Sequence, residues 1–262
     1  MNWKQLISAK RFGMEEFHEE RQENRSEFQR DYDRLIFSAP FRRLQNKTQV
    51  FPLPGSVFVH NRLTHSLEVA SVGRSLGDDV AKALLERHPE LQDSFLPEIG
   101  SIVSAACLAH DLGNPPFGHS GEKAISTFFS EGKGVRLKEK QPNGEQLSPM
   151  EWEDLTHFEG NANAFRILTH QFEGRRRGGF VLTYSTLASI VKYPFSSSLA
   201  GTKSKFGFFV SEEESFRKIA TELGLILLNE HPLKYARHPL VYLVEAADDI
   251  CYQMMDIEDA YK

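Results

Sequence analysis

The feature that most constrains the fold is a run of small and apolar residues, 102–109, that leads directly into His110 and Asp111. A helix that is apolar on every side must be buried, so this run predicts a helix in the core of the protein. Gly113 and the Pro-Pro pair that soon follows it predict where that helix stops. We therefore expect the His-Asp pair at the end of a buried helix, where its side chains face a cavity.

Composition assigns the chain to the ordinary globular proteins. Its 262 residues are 40% hydrophobic and 26% charged, which suffices for a substantial core in one large helical domain or two small ones. The net charge of −5 argues against nucleic-acid or membrane binding through bulk charge, but it leaves room for a local basic pocket. Cys107 and Cys251 lie in apolar helical contexts and are expected to be reduced core thiols. We find no signal peptide and no apolar run near ~20 residues, and so expect a cytoplasmic protein without a membrane span.

A second histidine is brought to the His-Asp pair by the predicted helix order. Apolar residues recur at helical spacing from residue 62 to about 87, and His65 lies in the first turn of this helix. The next helix is predicted from about residue 97 to 112. In an antiparallel pair the start of the first helix lies beside the end of the second, which places His65 near His110 and Asp111. A lone histidine here is otherwise more typical of a packed core residue.

The closing helix, predicted over about 239–256, supplies a fourth candidate ligand. Asp248 follows two alanines in an apolar stretch, and a carboxylate rarely enters a core unless it is paired or bound to metal. Asp248, Tyr252 and Asp256 are spaced four residues apart and share one stripe of the helix. Asp249 lies about 100° away from that stripe and is expected to be exposed.

His119 and Glu122 follow the His-Asp pair within a dozen residues, in and after a Pro/Gly loop. Such a concentration of titratable groups predicts a functional site. The carboxylate could orient and charge the imidazole, which would make the two an acid/base pair. Alternatively, Glu122 lies in the first turn of a helix only because a carboxylate is favourable there.

Two histidines and two carboxylates form a mixed nitrogen and oxygen ligand set. Such a set suits Mn²⁺, Mg²⁺, Fe²⁺ or Zn²⁺ and does not select among them. Four protein ligands leave open positions on an octahedral ion for water and a phosphate oxygen, which is a water-activating arrangement. The sequence contains no Walker A motif, no dinucleotide-binding glycine pattern and no Gly-x-Ser-x-Gly elbow. Metal-assisted hydrolysis of a phosphoester is the reaction class that follows.

The middle of the chain is less informative. Residues 131–150 form a polar excursion that predicts a small β-hairpin turning at 142–144. Residues 157–168 predict a helix on which His157 and Asn161 share one face. Lys192 closes a predicted helix, where it suits the helix dipole and could reach a phosphate. The arginines at 175–177 are a solvated turn or an anion contact, and residues 195–210 are expected to form a mobile loop.

Five strings of the sequence carry a family resemblance, and they are specific only as an ordered set. They are FRRLQNKTQVF (41–51), RLTHS (62–66), HDLGNPPFGH (110–119), HFEGN (157–161) and EAADDI (245–250). Together they resemble the HD superfamily of metal-dependent phosphohydrolases. Within it they are most similar to the bacterial dGTP triphosphohydrolases and dGTPase-like proteins, relatives of the animal dNTPase that restricts retroviruses. The similarity runs from roughly residue 25 to the end and implies an all-α fold, the HD-domain helical bundle.

The resemblance implies hydrolysis of dGTP, and of other dNTPs, to the deoxynucleoside and intact inorganic triphosphate. The implied cofactor is a divalent ion, Mg²⁺ or Mn²⁺ first, with Fe, Zn, Ni or Co as alternatives. It would be held by His65, His110, Asp111 and Asp248. In this scheme the ion polarises the α-phosphate, water attacks phosphorus, and His119, charged by Glu122, gives a proton to the leaving 5′-oxygen.

Substrate contacts follow from the same residue-by-residue matching. The implied phosphate contacts are Arg62, His157, Asn161 and Lys192. Tyr252 would pack on the deoxyribose and crowd the 2′ position, Asp256 would read the 3′-hydroxyl, and Gln49 would lie near the sugar and base.

The resemblance also bears on organisation. We expect residues 1–262 to form a single HD-type phosphohydrolase domain that lacks a C-terminal portion usual in the family. A homo-oligomer, hexameric or in another even state, and regulation by single-stranded DNA or a dNTP are implied as well. Two alternatives stay open: a non-catalytic nucleotide-binding sensor or assembly subunit, and an HD phosphohydrolase acting on another nucleotide, such as an alarmone or a nucleoside monophosphate.

Overall fold

A computed structural model describes residues 2–16, 25–47, 61–142, 144–174, 177–201 and 205–261. Over these ranges the protein consists of α-helices and one two-stranded sheet, which confirms the expected all-α fold class. The helices are α1 (Trp3–Leu6), α2 (Glu27–Ile36), α3 (Ala39–Arg43), α4 (Arg62–Arg87), α5 (Ile99–Ala109), α6 (His119–Ser130), α7 (Pro149–Thr156), α8 (Gly160–Thr169), α9 (Tyr184–Ile190), α10 (Glu213–Glu222) and α11 (Val241–Tyr261). No helix in these ranges combines the length and apolar character needed to cross a bilayer.

Helix α5 is the centre of the bundle, and all of its residues are buried. Helices α2, α4, α9 and α11 all contact it. Its small residues let the neighbouring backbones approach closely. A Cβ added at Gly77 of α4 would lie 2.7 Å from the Cα of Gly100 of α5. Because Gly77 meets the start of α5 while the first turn of α4 meets its end, the two helices run antiparallel, as the sequence predicted.

The close contact at Gly77 gives a stability prediction. Gly77→Ala should destabilise the protein by about 1–3 kcal/mol, since the added methyl group meets backbone atoms of Gly100 that cannot rotate away. Ser71→Ala, at an exposed position of the same helix, is the matched control and should stay within about 0.5 kcal/mol of the wild type. Urea unfolding measures both variants. Equal stability of Gly77→Ala and the wild type would show that the helices are not in this register.

Helix α2 is more deeply packed than the sequence suggested. Residues 14–34 are rich in Glu, Arg and Gln and contain few apolar residues, a pattern typical of a solvated helix or an irregular arm; residues 17–24 of this stretch lie outside the described residues. In α2, however, Phe28 and Leu35 are fully buried and the helix packs on α5. Tyr32 and Ile36 of the same helix also pack against the core, so the four residues recur at helical spacing and form one apolar face.

The β-hairpin expected in 131–150 was wrong. The described residues of that stretch form a 3₁₀-helix, Lys133–Lys138, and a turn in which the Gln141 N–H donates to the Glu145 carbonyl (2.8 Å). The turn signal was sound, but its flanks are charged and lack the β-branched and aromatic residues that favour strands. The two-stranded sheet lies elsewhere, pairing β1 (Leu227–Asn229) with β2 (Lys234–Tyr235).

The stretch 195–210, expected to be a mobile loop, is packed over its described residues. Phe206 is fully buried, and with Phe209 and Ala162 it forms a small apolar cluster separate from the main core. Residues 202–204 lie outside the described residues. The aromatic residues here outweigh the Ser/Gly content that suggested mobility, and they anchor this segment against α8.

Candidate active site

The His110–Asp111 pair lies in the turn that ends α5, as expected. The Nδ1 atom of His110 donates to the Cys107 carbonyl at 2.6 Å, which fixes the tautomer because a carbonyl only accepts. The Nε2 atom of His110 therefore carries the lone pair. It is buried and has no hydrogen-bond partner among the described residues. A buried polar atom left without a protein partner fits a position that faces a cation.

His65 and Asp248 converge on the same point. His65 is fully buried in the first turn of α4, and its Nε2 lies 2.9 Å from Oδ1 of Asp248. Nε2 of His110 lies 3.6 Å from Oδ1 of Asp248 and 3.7 Å from Oδ1 of Asp111. Ligand atoms of His65, His110 and Asp111 all lie within 4.8 Å of one another. One divalent ion can span donor atoms at these separations.

The electrostatics of the cluster favour an ionised carboxylate. Burial alone would raise the pKa of Asp248, but the hydrogen bond from His65 and the electrostatic influence of His110, His65 and Lys192 outweigh it, so the pKa of Asp248 is lowered. Burial, together with Asp111 and Asp248, raises the pKa of Tyr252 to about 12. Tyr252 therefore presents a neutral hydroxyl, with its ring 4.8 Å from that of His65.

Asp111 is held by neighbours on both oxygens. Nη1 of Arg62 donates to Oδ2 at 2.6 Å, and the amide of Asn114 donates to Oδ1. Arg62 is almost fully buried, and it lines the floor of the pocket beside Asp111. Its predicted role as a phosphate contact stays a prediction.

A pocket of about 550 Å³ opens above the cluster and carries the second predicted constellation on its wall. His119 begins α6 with 85% of its side chain exposed, and its Nδ1 lies 2.9 Å from Oε2 of Glu122. Oε1 of Glu122 accepts the N–H of Gly160 at 2.8 Å. Burial opposes the charged form, but the bonds from His119 and Gly160 and the charge of Lys205 lower the pKa of Glu122. Glu122 therefore orients His119 as an ionised carboxylate.

The predicted substrate contacts separate into two groups. Asn161, Lys192 and Tyr252 line the pocket. Asp256 is exposed one turn beyond Tyr252 on α11 and does not line it. Gln49 lies outside the described residues, as do two of the three arginines at 175–177.

The expected helix over 157–168 was wrong at its start. His157 is the C-cap of α7, with its Nδ1 donating to the Glu153 carbonyl at 3.1 Å, and α8 begins only at Gly160. His157 and Asn161 therefore lie on different helices, and His157 does not line the pocket. The reason is Glu159, whose side chain accepts the Asn161 N–H at 2.7 Å and caps α8.

Sequence reasoning missed three charged residues that line the pocket, Glu159, Lys205 and Glu245. Nζ of Lys205 lies 2.7 Å from Oε1 of Glu159 and 3.6 Å from Oε2 of Glu122. A carboxylate just before a helix start is a capping signal that could have pointed to Glu159. No local signal marked Lys205, because its place depends on the packing of Phe206 beside it. Lys192 is paired in a similar way, 2.9 Å from Oε1 of Glu245.

Asp154 of α7 anchors the segment that carries Lys205. It is 5% exposed, and its Oδ2 accepts the N–H of Val210 at 2.7 Å. Burial raises the pKa of Asp154 to about 6. The folded-state pKa therefore exceeds the unfolded value, and stability is lost as pH rises from about 4 to about 6.

Asp154→Asn should accordingly stabilise the protein above pH 6, by no more than about 2–3 kcal/mol, because the neutral amide keeps an acceptor for Val210. The gain should shrink toward pH 4. Urea unfolding at pH 4.5 and 7.5 measures this, with the exposed Asp79→Asn as the matched control. An equal change in stability at both pH values would contradict the raised pKa.

Comparisons with known proteins match the chain to a described domain and to curated relatives. A family model described as the HD domain matches residues 62–177, a span that contains His65, His110 and Asp111. This part of the chain is similar to the HD domain. Over its whole length the chain is 46% identical to a deoxyguanosinetriphosphate triphosphohydrolase-like protein of Synechocystis, covering 60% of that protein. The resemblance seen in the motif strings is thereby confirmed.

Two further relatives match nearly the entire chain. One is a deoxyguanosinetriphosphate triphosphohydrolase-like protein of Pseudomonas aeruginosa, 47% identical over 99% of this chain and 57% of that protein. The other is named deoxyguanosinetriphosphate triphosphohydrolase, from Yersinia enterocolitica, and is 37% identical over 99% of this chain and 55% of that protein. The chain thus spans between half and two thirds of the length of these curated relatives.

Proposed function

We propose that residues 1–262 form one HD-type unit that catalyses metal-dependent hydrolysis of a deoxynucleoside triphosphate, dGTP first among them. The observation that carries the proposal is the cluster of His65, His110, Asp111 and Asp248 opening into a pocket whose wall holds the His119–Glu122 pair. The relatives' names supply the substrate. The products would be the deoxynucleoside and intact inorganic triphosphate.

The ligand cluster fits a divalent ion, because its imidazole and carboxylate donors are those that Mg²⁺, Mn²⁺ and similar ions accept and the buried Nε2 of His110 has no other described partner. Such an ion supplies Lewis-acid chemistry and water activation at a phosphoryl group. Arg62 and Asn114 keep both oxygens of Asp111 in place. This restricts how the carboxylate can turn.

His119 is the proposed proton donor. When water attacks the α-phosphorus and the bond from phosphorus to the 5′-oxygen breaks, that oxygen must gain a proton to leave as the deoxynucleoside. Nδ1 of His119 is bound by Glu122, which leaves Nε2 for the substrate. The ionised Glu122 stabilises the imidazolium, so the pair suits a general acid.

Lys192, Lys205 and Asn161 are the proposed phosphate contacts, since they line the pocket beside the cluster. Tyr252 would pack on the deoxyribose. The roles predicted for Arg62, His157, Asp256 and Gln49, the homo-oligomer, and regulation by single-stranded DNA or a dNTP remain proposals that rest on the resemblance.

Product analysis tests this function. The protein is incubated with each dNTP and Mn²⁺ or Mg²⁺, and the products are separated by ion-exchange chromatography. We expect dGTP to yield deoxyguanosine and triphosphate. Release of orthophosphate or pyrophosphate would indicate a different hydrolase, and dNTP binding without turnover would indicate a nucleotide sensor.

A further inference from the structure

Lys47 joins the two elements that carry the histidine ligands. Its side-chain ammonium donates to the carbonyl of Asn114 at 2.6 Å and contacts that of Leu112 at 3.4 Å, in the turn after the His-Asp pair. Its own backbone carbonyl accepts the N–H of Arg62, the first residue of α4, at 3.0 Å. One residue thus contacts the end of α5 and the start of the helix that presents His65.

The turn that follows α5 has an unusual set of donors. The carbonyls of a turn that follows a helix have no partner in the helix and are commonly satisfied by water. Here three successive carbonyls are served by two distant side chains. The ammonium of Lys47 donates to the carbonyls of Leu112 and Asn114. The side-chain amide of Asn163 in α8 donates to the carbonyl of Gly113 at 2.8 Å.

Lys47 is also connected to the carboxylate oxygens of Asp111, one of the candidate metal ligands. The side chain of Asn114 donates to Oδ1 of Asp111, and Arg62 donates to Oδ2. Lys47 bonds the backbone of both donors, since it contacts the Asn114 carbonyl and the Arg62 N–H. The orientation of the Asp111 carboxylate is therefore coupled to Lys47 through both of its oxygens.

We propose that Lys47 is a positioning residue of the metal centre. It holds the start of α4 against the turn after α5, and Asn163 of α8 supports the same turn. The inference rests on the metal centre of the proposed function. It does not depend on which nucleotide is hydrolysed. Residues that hydrogen-bond to the ligands of a metal commonly influence the affinity of the site for that metal. Removing such a residue lowers metal affinity by about 10–100-fold.

The test compares Mn²⁺ affinity in full-length variants by isothermal titration calorimetry. Lys47→Met keeps the apolar stem and removes the donors, so the Kd for Mn²⁺ should rise about tenfold or more. Lys47→Arg, which can still donate to two carbonyls, should retain most of the affinity. Lys218→Met removes a lysine paired with Glu15, far along the chain from the turn, and should bind Mn²⁺ as the wild type does.

A second readout addresses the metal-free protein. Hydrogen exchange of the peptide covering 110–118 should be faster in Lys47→Met than in the wild type, while peptides from α10 exchange equally. Should Lys47→Met fail to fold, Asn163→Ala carries the test, with a smaller loss of Mn²⁺ affinity in the same direction.

Wild-type Mn²⁺ affinity in folded Lys47→Met, or in Asn163→Ala when Lys47→Met does not fold, would overturn the proposal. Equal losses in Lys47→Met and Lys218→Met would also overturn it, since the effect would then be nonspecific. Because the readout is metal affinity, Mn²⁺ binding without dNTP hydrolysis refutes the proposed function separately.

Discussion

His119→Ala is expected to lower dGTP turnover by about 10²–10⁴-fold while Mn²⁺ affinity stays at the wild-type level. A positioned general acid contributes a factor of this size, and His119 is the exposed imidazole of the pocket wall that Glu122 holds at 2.9 Å. Since His119 touches none of the four candidate ligands in the described contacts, its loss should leave the ion in place. Turnover is measured by release of deoxyguanosine, and metal affinity by calorimetry.

Ser120→Ala is the matched control for this variant. It changes the next residue of the same helix turn, which also lines the pocket, and should keep most of the turnover. Full activity of His119→Ala would remove this residue from the mechanism. A parallel loss of Mn²⁺ affinity would mean that His119 supports the ion instead of donating a proton.

Asp248→Asn should weaken Mn²⁺ binding by more than about 100-fold, and hydrolysis should disappear with it. Oδ1 of Asp248 lies beside Nε2 of both His65 and His110. The substitution replaces the carboxylate by a neutral amide, so the ligand set loses a negative charge at its centre. Asp249→Asn is the matched control. It makes the same change at the adjacent, exposed position of α11 and should bind Mn²⁺ normally.

Calorimetry with Mn²⁺ distinguishes the two aspartates directly. Equal affinity in Asp248→Asn and Asp249→Asn would exclude Asp248 as a ligand. A loss of folding in Asp248→Asn, seen by circular dichroism, is checked with Asp248→Glu, which keeps the charge but displaces it and should bind Mn²⁺ more weakly than the wild type.

The sequence predicted the central part of this structure because those features are local and strongly patterned. The run 102–109 could only be a buried helix, and Gly113 with the following prolines bounded it. The antiparallel placement of His65 beside His110 then followed from helix order alone. Asp248 was identified because a carboxylate between small apolar residues needs a partner, and the structure supplies His65 at 2.9 Å.

What the sequence did not predict depends on contacts between distant segments. Glu159 caps α8 and separates His157 from Asn161, and one capping carboxylate changed the assignment of a whole turn. Lys205 reaches Glu159 only because Phe206 is buried against α8. Lys47 lies in the polar stretch 45–49, which by itself is typical of a surface loop, and its bonds to the turn after α5 are visible only in three dimensions.

The most direct test of the central claim is a crystal of this protein grown with Mn²⁺, with anomalous diffraction recorded at the manganese edge. We expect one strong peak about 2.0–2.3 Å from Nε2 of His65, Nε2 of His110 and a carboxylate oxygen of each of Asp111 and Asp248. A peak elsewhere, or His65 and Asp248 pointing into separate regions away from the His110–Asp111 corner, would contradict the proposed metal centre.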